Sequence, residues 1–284
     1  MIPLNFDYSA PSSLDEALHL LSSGAKPLSG GMSLIPMMKL RLAAPERVVD
    51  LGRIAGLNTI AQDGGVIRVG AMATHHEVES AALLRRSCPL LAEVAGQIGD
   101  VQVRNRGTIG GSVAHADPAA DYPAALFALE ARVRLVKTRG DRTLDIGEFI
   151  QDTFTTAADG GEIVREVIVP AEDAGTGTAY AKMLQPASGF AIVGVAARIR
   201  KVGGAITMAR IGVTGLGSKA YRATGVEAAL QGKAGTADDI AAAVAGIGDG
   251  VDANSDIHAS ADYRQHMARV YATRAIQKAL SRIA

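Results

Sequence analysis

The sequence predicts an α+β protein built from three successive units, and three observations carry that prediction. Short β-type runs alternate with helical stretches and glycine-rich turns up to residue 170. A small, polar, glycine-rich segment at residues 171–177 then reads as a linker. Beyond it, three strand-like segments are followed by three helical ones, the pattern of a short antiparallel meander packed by helices on one face. The expected boundaries are 1–55, 56–172 and 176–284.

In the first unit, an extended segment at Phe6-Asp7-Tyr8 precedes a helix. Ser12 or Ser13 serves as its N-cap, with acidic residues in the first turn and Leu14, Leu18 and Leu21 at helical spacing. Gly24 ends that helix, Lys26-Pro27-Leu28 reads as a strand, and Arg47–Leu51 as another, giving a small βαβ-like unit. In the second unit, Thr59–Ala61 and Val66–Val69 flank Asp63-Gly64-Gly65, a hairpin signal. Helices are expected near 76–86, 90–98 and 119–128, with strands at 133–136 and 166–170. The third unit should hold a three-stranded antiparallel sheet (178–183, 192–199, 206–213) and helices near 223–231, 237–246 and 261–282.

Composition narrows the function. The 284 residues are 48% apolar, enough for real cores, yet no run approaches the ~18 apolar residues of a membrane span. The start, Met1-Ile2-Pro3-Leu4-Asn5-Phe6-Asp7, lacks the basic and apolar stretches of a signal peptide, so a cytoplasmic protein is the expectation. Lys+Arg and Asp+Glu both number 29, and the resulting zero formal charge argues against a nucleic-acid partner. Tryptophan is absent and aromatics are 4%, too few for stacking platforms. The single cysteine, Cys88, excludes an intrachain disulfide and an iron–sulfur cluster held by this chain alone. The scattered histidines give no metal-ligand pattern, and no metal site is expected.

Two glycine motifs stand out. Ser29-Gly30-Gly31-Met32-Ser33-Leu34 runs into Ile35-Pro36-Met37-Met38-Lys39-Leu40, with Pro36 near the start of a short helix. Thr108-Ile109-Gly110-Gly111-Ser112 comes further along. Paired glycines allow positive φ and close backbone approach. Successive N–H groups in such turns, backed by a helix N-terminus, suit an anion. Neighbouring hydroxyls add donors, and the scarcity of Lys and Arg within the motifs fits a diphosphate held by amides. The two turns are expected to close on one diphosphate.

Other features have competing readings. Asp117 and Asp121 either cap the next helix, or Asp121 accepts hydrogen bonds from ribose hydroxyls. Gly215-Leu216-Gly217-Ser218-Lys219-Ala220 matches G-x-G-x-x-A after a strand. The residues beyond it read as helix upon helix, not the parallel βαβ context that a dinucleotide fold needs, so the segment is read as a strand-to-helix connection. His75-His76 is expected at the surface or in a cap, Met37-Met38 as core filling, and Cys88 as structural.

Taken together, residues 28–39 and 103–112 are those of a known family: the chain resembles the FAD-binding medium subunits of molybdenum-containing hydroxylases. The resemblance runs nearly end to end. It implies a two-subdomain FAD-binding domain of the vanillyl-alcohol-oxidase/PCMH type followed by a C-terminal α+β domain. By resemblance, Leu28, Ser29, Gly30, Gly31, Met32, Ser33 and Leu34, with Thr108, Ile109, Gly110, Gly111 and Ser112, wrap the FAD diphosphate. Asp121 reaches the flavin nucleotide, Val164 packs on the flavin, Lys182 lies near it, and Phe190 stands beside the isoalloxazine where some relatives have tyrosine. Met32 replaces a frequent histidine or glutamine and Ser112 a frequent asparagine, neither of which removes a backbone amide. The resemblance further implies non-covalent FAD and no catalytic side chain in this chain. A large molybdenum-cofactor subunit, a small subunit with two-iron two-sulfur clusters and a dimer of heterotrimers are the implied partners. The alternatives are a self-sufficient flavin oxidase, a nicotinamide-binding protein using the Gly215 region, and a flavin-free assembly module.

Overall fold

The structure is a computed structural model that describes residues 2–283. Its first layer is a three-stranded parallel sheet in the order Asp7–Ser9, Arg47–Asp50, Lys26–Leu28. The helix Leu14–Ser22 crosses over it. The Ser13 hydroxyl accepts from Glu16 N–H, an N-cap, and Ala17, Leu18 and Leu21 form the buried stripe. Gly24, at φ 90°, makes the exit that the sequence anticipated.

The second layer is a five-stranded antiparallel sheet in the order Ile60–Asp63, Val66–Gly70, Ile163–Pro170, Arg132–Val136, Asp141–Asp145. The hairpin at Asp63-Gly64-Gly65 is present, with Gly64 at φ 59°. The edge strand Asp141–Asp145 carries four polar residues in five and so gave no apolar pattern to read. The helical stretch expected near 76–86 is two helices, His75–Ser80 and Ala82–Ser87, because the backbone at Ala81 leaves the helical region.

The third unit departs from expectation in three ways. Its sheet has four strands, not three: Thr176–Leu184, Ala191–Val202, Ala205–Thr214 and the two-residue Tyr221–Arg222, which pairs with Gly212 and Val213. Two residues cannot show an alternating pattern. The Gly215–Ala220 segment therefore joins two antiparallel strands and is not a strand-to-helix connection. Helices also lie on both faces of this sheet. Val195, Ala197, Ile199, Ile211 and Val213 face Thr224–Leu230, Ala237–Val244 and Ala261–Leu280, whereas Tyr180 and Ala196 face the core of the second unit.

The element on that second face is the helix Asp121–Ala128, and every one of its residues is buried. A helix that is apolar all round belongs inside a protein. Here it lies against the strands of the third unit: a Cβ on Gly212 would overlap the Ala124 carbonyl. The linker is also tied down. Glu172 N–H donates to Ser87 O (2.7 Å), and its carboxylate accepts from Arg198 Nε (2.7 Å). No helix among the described residues is long and apolar enough to cross a membrane.

Candidate functional site

The first glycine motif leaves the strand Lys26–Leu28, turns at Gly31 (φ 76°) and enters the short helix Leu34–Lys39. Ile35 N–H returns to Gly31 O at 3.1 Å, but among the described residues the N–H groups of Met32, Ser33 and Leu34 meet no protein acceptor. These are the orphan donors of a helix start, clustered at the glycine turn. Gly30 is needed for a different reason. A Cβ there would overlap the Arg106 carbonyl, so this loop rests directly on the segment leading to the second motif.

The second motif is not a turn. Residues Ile109–His115 form a helix whose N-cap, Thr108, accepts from Gly111 N–H at 3.1 Å. Gly110 and Gly111 take no positive φ; they make the helix thin. A Cβ on Gly110 would overlap Ala71, and one on Gly111 would stand 2.9 Å from both Ser29 Oγ and Thr108 Oγ1. Four amides of this motif are already partnered: Ile109 with Ala73 O, Gly110 with Ala71 O, Gly111 with Thr108 Oγ1 and Ser112 with Thr108 O. The unpartnered amides at residues 32–34 thus come from the first motif, and each motif contributes a hydroxyl. Ser29 Oγ and Thr108 Oγ1 sit 2.5 Å apart and join the two.

Asp121 opens the buried helix, but it does not cap it. Its carboxylate turns toward the strand Thr176–Leu184, where Tyr180 OH donates to Oδ1 (2.6 Å) and Lys182 Nζ to Oδ2 (2.9 Å). Burial pushes the Asp121 carboxyl upward, and Lys182 and Tyr180 oppose that shift. Asp117 does not cap the helix either: its carboxylate accepts from Ala119 N–H at 2.8 Å in the loop before the helix, and the N-cap position, Ala120, has no side-chain cap bond. Lys182 uses all three of its protons: Asp121, Gln97 O at 2.6 Å and Gly189 O at 2.7 Å. Gly189 (φ 74°) passes so close to Gly99 that a Cβ would lie 3.3 Å from its Cα, and Phe190, 46% exposed, comes next in the chain. Val164 is buried beside a bulge; the next carbonyl, Arg165 O, accepts from Ala71 N–H at 3.0 Å.

The expected residues thus form two groups of contacts. Residues 28–34 meet 108–112 through Ser29 and Thr108, 108–112 meets the Val164 strand through Ala71, and Lys182 joins Asp121 to the Phe190 loop. Two contributors were not anticipated. The segment 97–107 bridges the site, touching Lys182 and Gly189 at one end and Gly30 at the other. Tyr180 holds Asp121 from the third unit. The only sequence signal for Tyr180 was its place two residues before Lys182, on the same face of a strand.

His75 is not at the surface. It is buried, with Nδ1 3.2 Å from Tyr122 OH, and burial, then Arg104, lowers its pKa to about 4. His76 is exposed, as two adjacent helix positions require. Cys88 is buried and inert, its thiol pushed up to about 12 by burial and then by Glu172. Met38 fills core, with Met37 half-buried.

Comparison with known proteins finds relatives along the whole chain. Residues 4–172 match a family described as FAD binding domain in molybdopterin dehydrogenase, and residues 178–279 match the CO dehydrogenase flavoprotein C-terminal domain. The chain is 40% identical to the carbon monoxide dehydrogenase medium chain of Hydrogenophaga pseudoflava, covering 100% of both proteins. It is 36% identical to the 6-hydroxypseudooxynicotine dehydrogenase complex subunit alpha of Paenarthrobacter nicotinovorans, over 99% of this chain and 97% of that one. Among solved structures, carbon monoxide dehydrogenase of H. pseudoflava lacking the Mo-pyranopterin moiety superimposes with a TM-score of 0.97 at 42% identity, over 100% of both chains. Quinoline 2-oxidoreductase of Pseudomonas putida 86 superimposes at 0.94 and 31%, over 99% of each.

Proposed function

Because the chain belongs to the FAD-binding medium subunits of the carbon monoxide dehydrogenase and xanthine dehydrogenase family, we propose that it is the electron-transfer flavoprotein of a molybdenum hydroxylase complex. The observation that carries this reading is the pairing of three unpartnered amides at residues 32–34 with the Ser29–Thr108 hydroxyl pair, at a seam thinned by Gly30, Gly110 and Gly111. Amide and hydroxyl donors without a competing lysine or arginine suit the diphosphate of FAD.

In this reading residues 28–34 supply the amides and the Ser29 hydroxyl, and residues 108–112 the Thr108 hydroxyl and the close approach. Val164 and Phe190 supply apolar surface for the ring system. Asp121 has two oxygens with about four acceptor positions, of which Tyr180 and Lys182 fill two, so it can still accept from the flavin nucleotide. Bound, non-covalent FAD supplies the redox chemistry, and this chain binds it and tunes it.

The partners are inferred from the chemistry for which this chain has no residues. Its lone cysteine is buried and bonded into a core, so iron–sulfur clusters belong to a small partner subunit. Substrate oxidation belongs to a large molybdenum-binding subunit, as the names of the related dehydrogenases suggest. The assembled complex is a dimer of such heterotrimers, with electrons leaving this chain's FAD for an external acceptor. The test is a visible spectrum of the purified chain before and after FAD addition and gel filtration. Retained flavin bands that denaturation releases as FAD are expected; a colourless protein would favour a flavin-free assembly module.

A further inference from the structure

We propose that Tyr180 is a positioning residue of the flavin site: by holding Asp121, it lets the third unit set the orientation of a group that belongs to the second. The inference rests on the FAD reading above and assigns a role to a residue outside the two glycine motifs.

The geometry is specific. Tyr180 is fully buried, and its phenol donates to Asp121 Oδ1 at 2.6 Å while Lys182, two residues on, takes Oδ2 at 2.9 Å. Successive same-face positions of one strand therefore grip both oxygens of one carboxylate. The neighbouring strand makes room for this. A Cβ on Gly194, which pairs with Lys182 in the ladder, would overlap the Tyr180 hydroxyl. The backbone before Asp121 is held from the same sheet. Thr214 Oγ1 lies 2.8 Å from both Pro118 O and Ala120 O, and Gly215 N–H donates to Pro118 O at 2.8 Å.

A junction between two units does not require a carboxylate. Burying one is costly, and an apolar contact of the same shape would join the units as well or better. The carboxylate is nonetheless kept, oriented at both oxygens, with acceptor positions to spare. Lys182 extends the same grip to Gly189 O, next to Phe190. A polar, fully oriented acceptor beside a proposed flavin is the arrangement of a group that touches the cofactor, and Tyr180 acts on it without touching the cofactor itself.

The experiment uses the full-length chain loaded with FAD. Three quantities are measured: the FAD dissociation constant, the midpoint potential of the bound flavin and the unfolding temperature of the FAD-free chain. Tyr180→Phe should weaken FAD binding about tenfold, the effect of one charge-assisted hydrogen bond, and shift the midpoint potential. In an Asp121→Asn background the same change should add almost nothing, because its action passes through that carboxylate. Tyr221→Phe is the control. It removes an equivalent hydroxyl, bonded to Ile247 O at 2.7 Å in the same unit, and should lower the unfolding temperature without moving affinity or potential. A Tyr180→Phe variant that loses only unfolding temperature overturns the positioning role while leaving the FAD reading intact. An unaltered chain that binds no FAD overturns both.

Discussion

Ser29 and Thr108, 79 residues apart in sequence, meet through their hydroxyls, and that contact joins the two glycine motifs. Thr108 also caps its own helix through Gly111 N–H. Thr108→Val keeps the shape and removes both bonds. It should cost about 1–2 kcal/mol of stability, the usual loss for a helix N-cap, and weaken FAD binding further than that loss alone explains. Denaturant unfolding and an FAD titration on the same variant separate the two effects.

The paired glycines of the second motif should respond differently to substitution. At Gly110 even a methyl group overlaps Ala71, so Gly110→Val should prevent the helix from seating and abolish both compact folding and flavin retention. At Gly111 the clash is with two hydroxyls at 2.9 Å. Alanine there gains roughly 1 kcal/mol of helix propensity, which offsets much of the strain. Gly111→Ala should therefore unfold near the parent temperature yet bind FAD more weakly, as the Ser29–Thr108 pair is forced apart. Unchanged affinity in a folded Gly111→Ala protein would remove that pair from the site.

His75 makes stability depend on pH. Its folded pKa is lowered to about 4 from 6.5, chiefly by burial and then by Arg104. The unfolded chain therefore takes up the proton first as pH falls. The contribution is fully present above pH 6.5 and is lost progressively down to about pH 4. Thermal unfolding across that window should show the decline, and His75→Gln should flatten it. Parallel curves for parent and variant would place the pH dependence elsewhere.

Cys88 should be silent toward thiol reagents. With its thiol buried and pushed up to about 12, iodoacetamide at mildly alkaline pH should leave the native chain unmodified by mass spectrometry. Modification should appear only in denaturant.

The outline of the fold was legible because its strongest signals are local. The Leu14, Leu18 and Leu21 spacing, the hairpin at Asp63-Gly64-Gly65 and the three apolar strands of the third unit all name their own structure. The two glycine motifs were legible as a pair, and in the fold Ser29 and Thr108 join them. The physical use of Gly110 and Gly111 was not legible. A sequence cannot distinguish glycines that turn a chain from glycines that thin a helix, because the difference lies in Ala71 and Ser29 across the gap.

Other misreadings share that cause. His75 looked like a surface residue because nothing adjacent in sequence reveals Tyr122 beside it. Tyr221–Arg222 was invisible because a strand of two residues exists only by virtue of its partner. Asp121 suggested a cap, and what the sequence did not show is the pair that holds its carboxylate, Tyr180 and Lys182, contributed by a strand much later in the chain. In each case local patterning was sound and the long-range neighbour was missing.

The buried helix Asp121–Ala128 also bears on how the protein is made. During synthesis this helix leaves the ribosome before any of the strands that will cover its second face. Until those strands arrive, an apolar surface is exposed and the Asp121 carboxylate lacks Tyr180 and Lys182. A chain halted near the linker would hold both glycine motifs and still lack the side chains that hold Asp121. The chain must therefore be made at least through the strand Thr176–Leu184 before Asp121 is held at both oxygens.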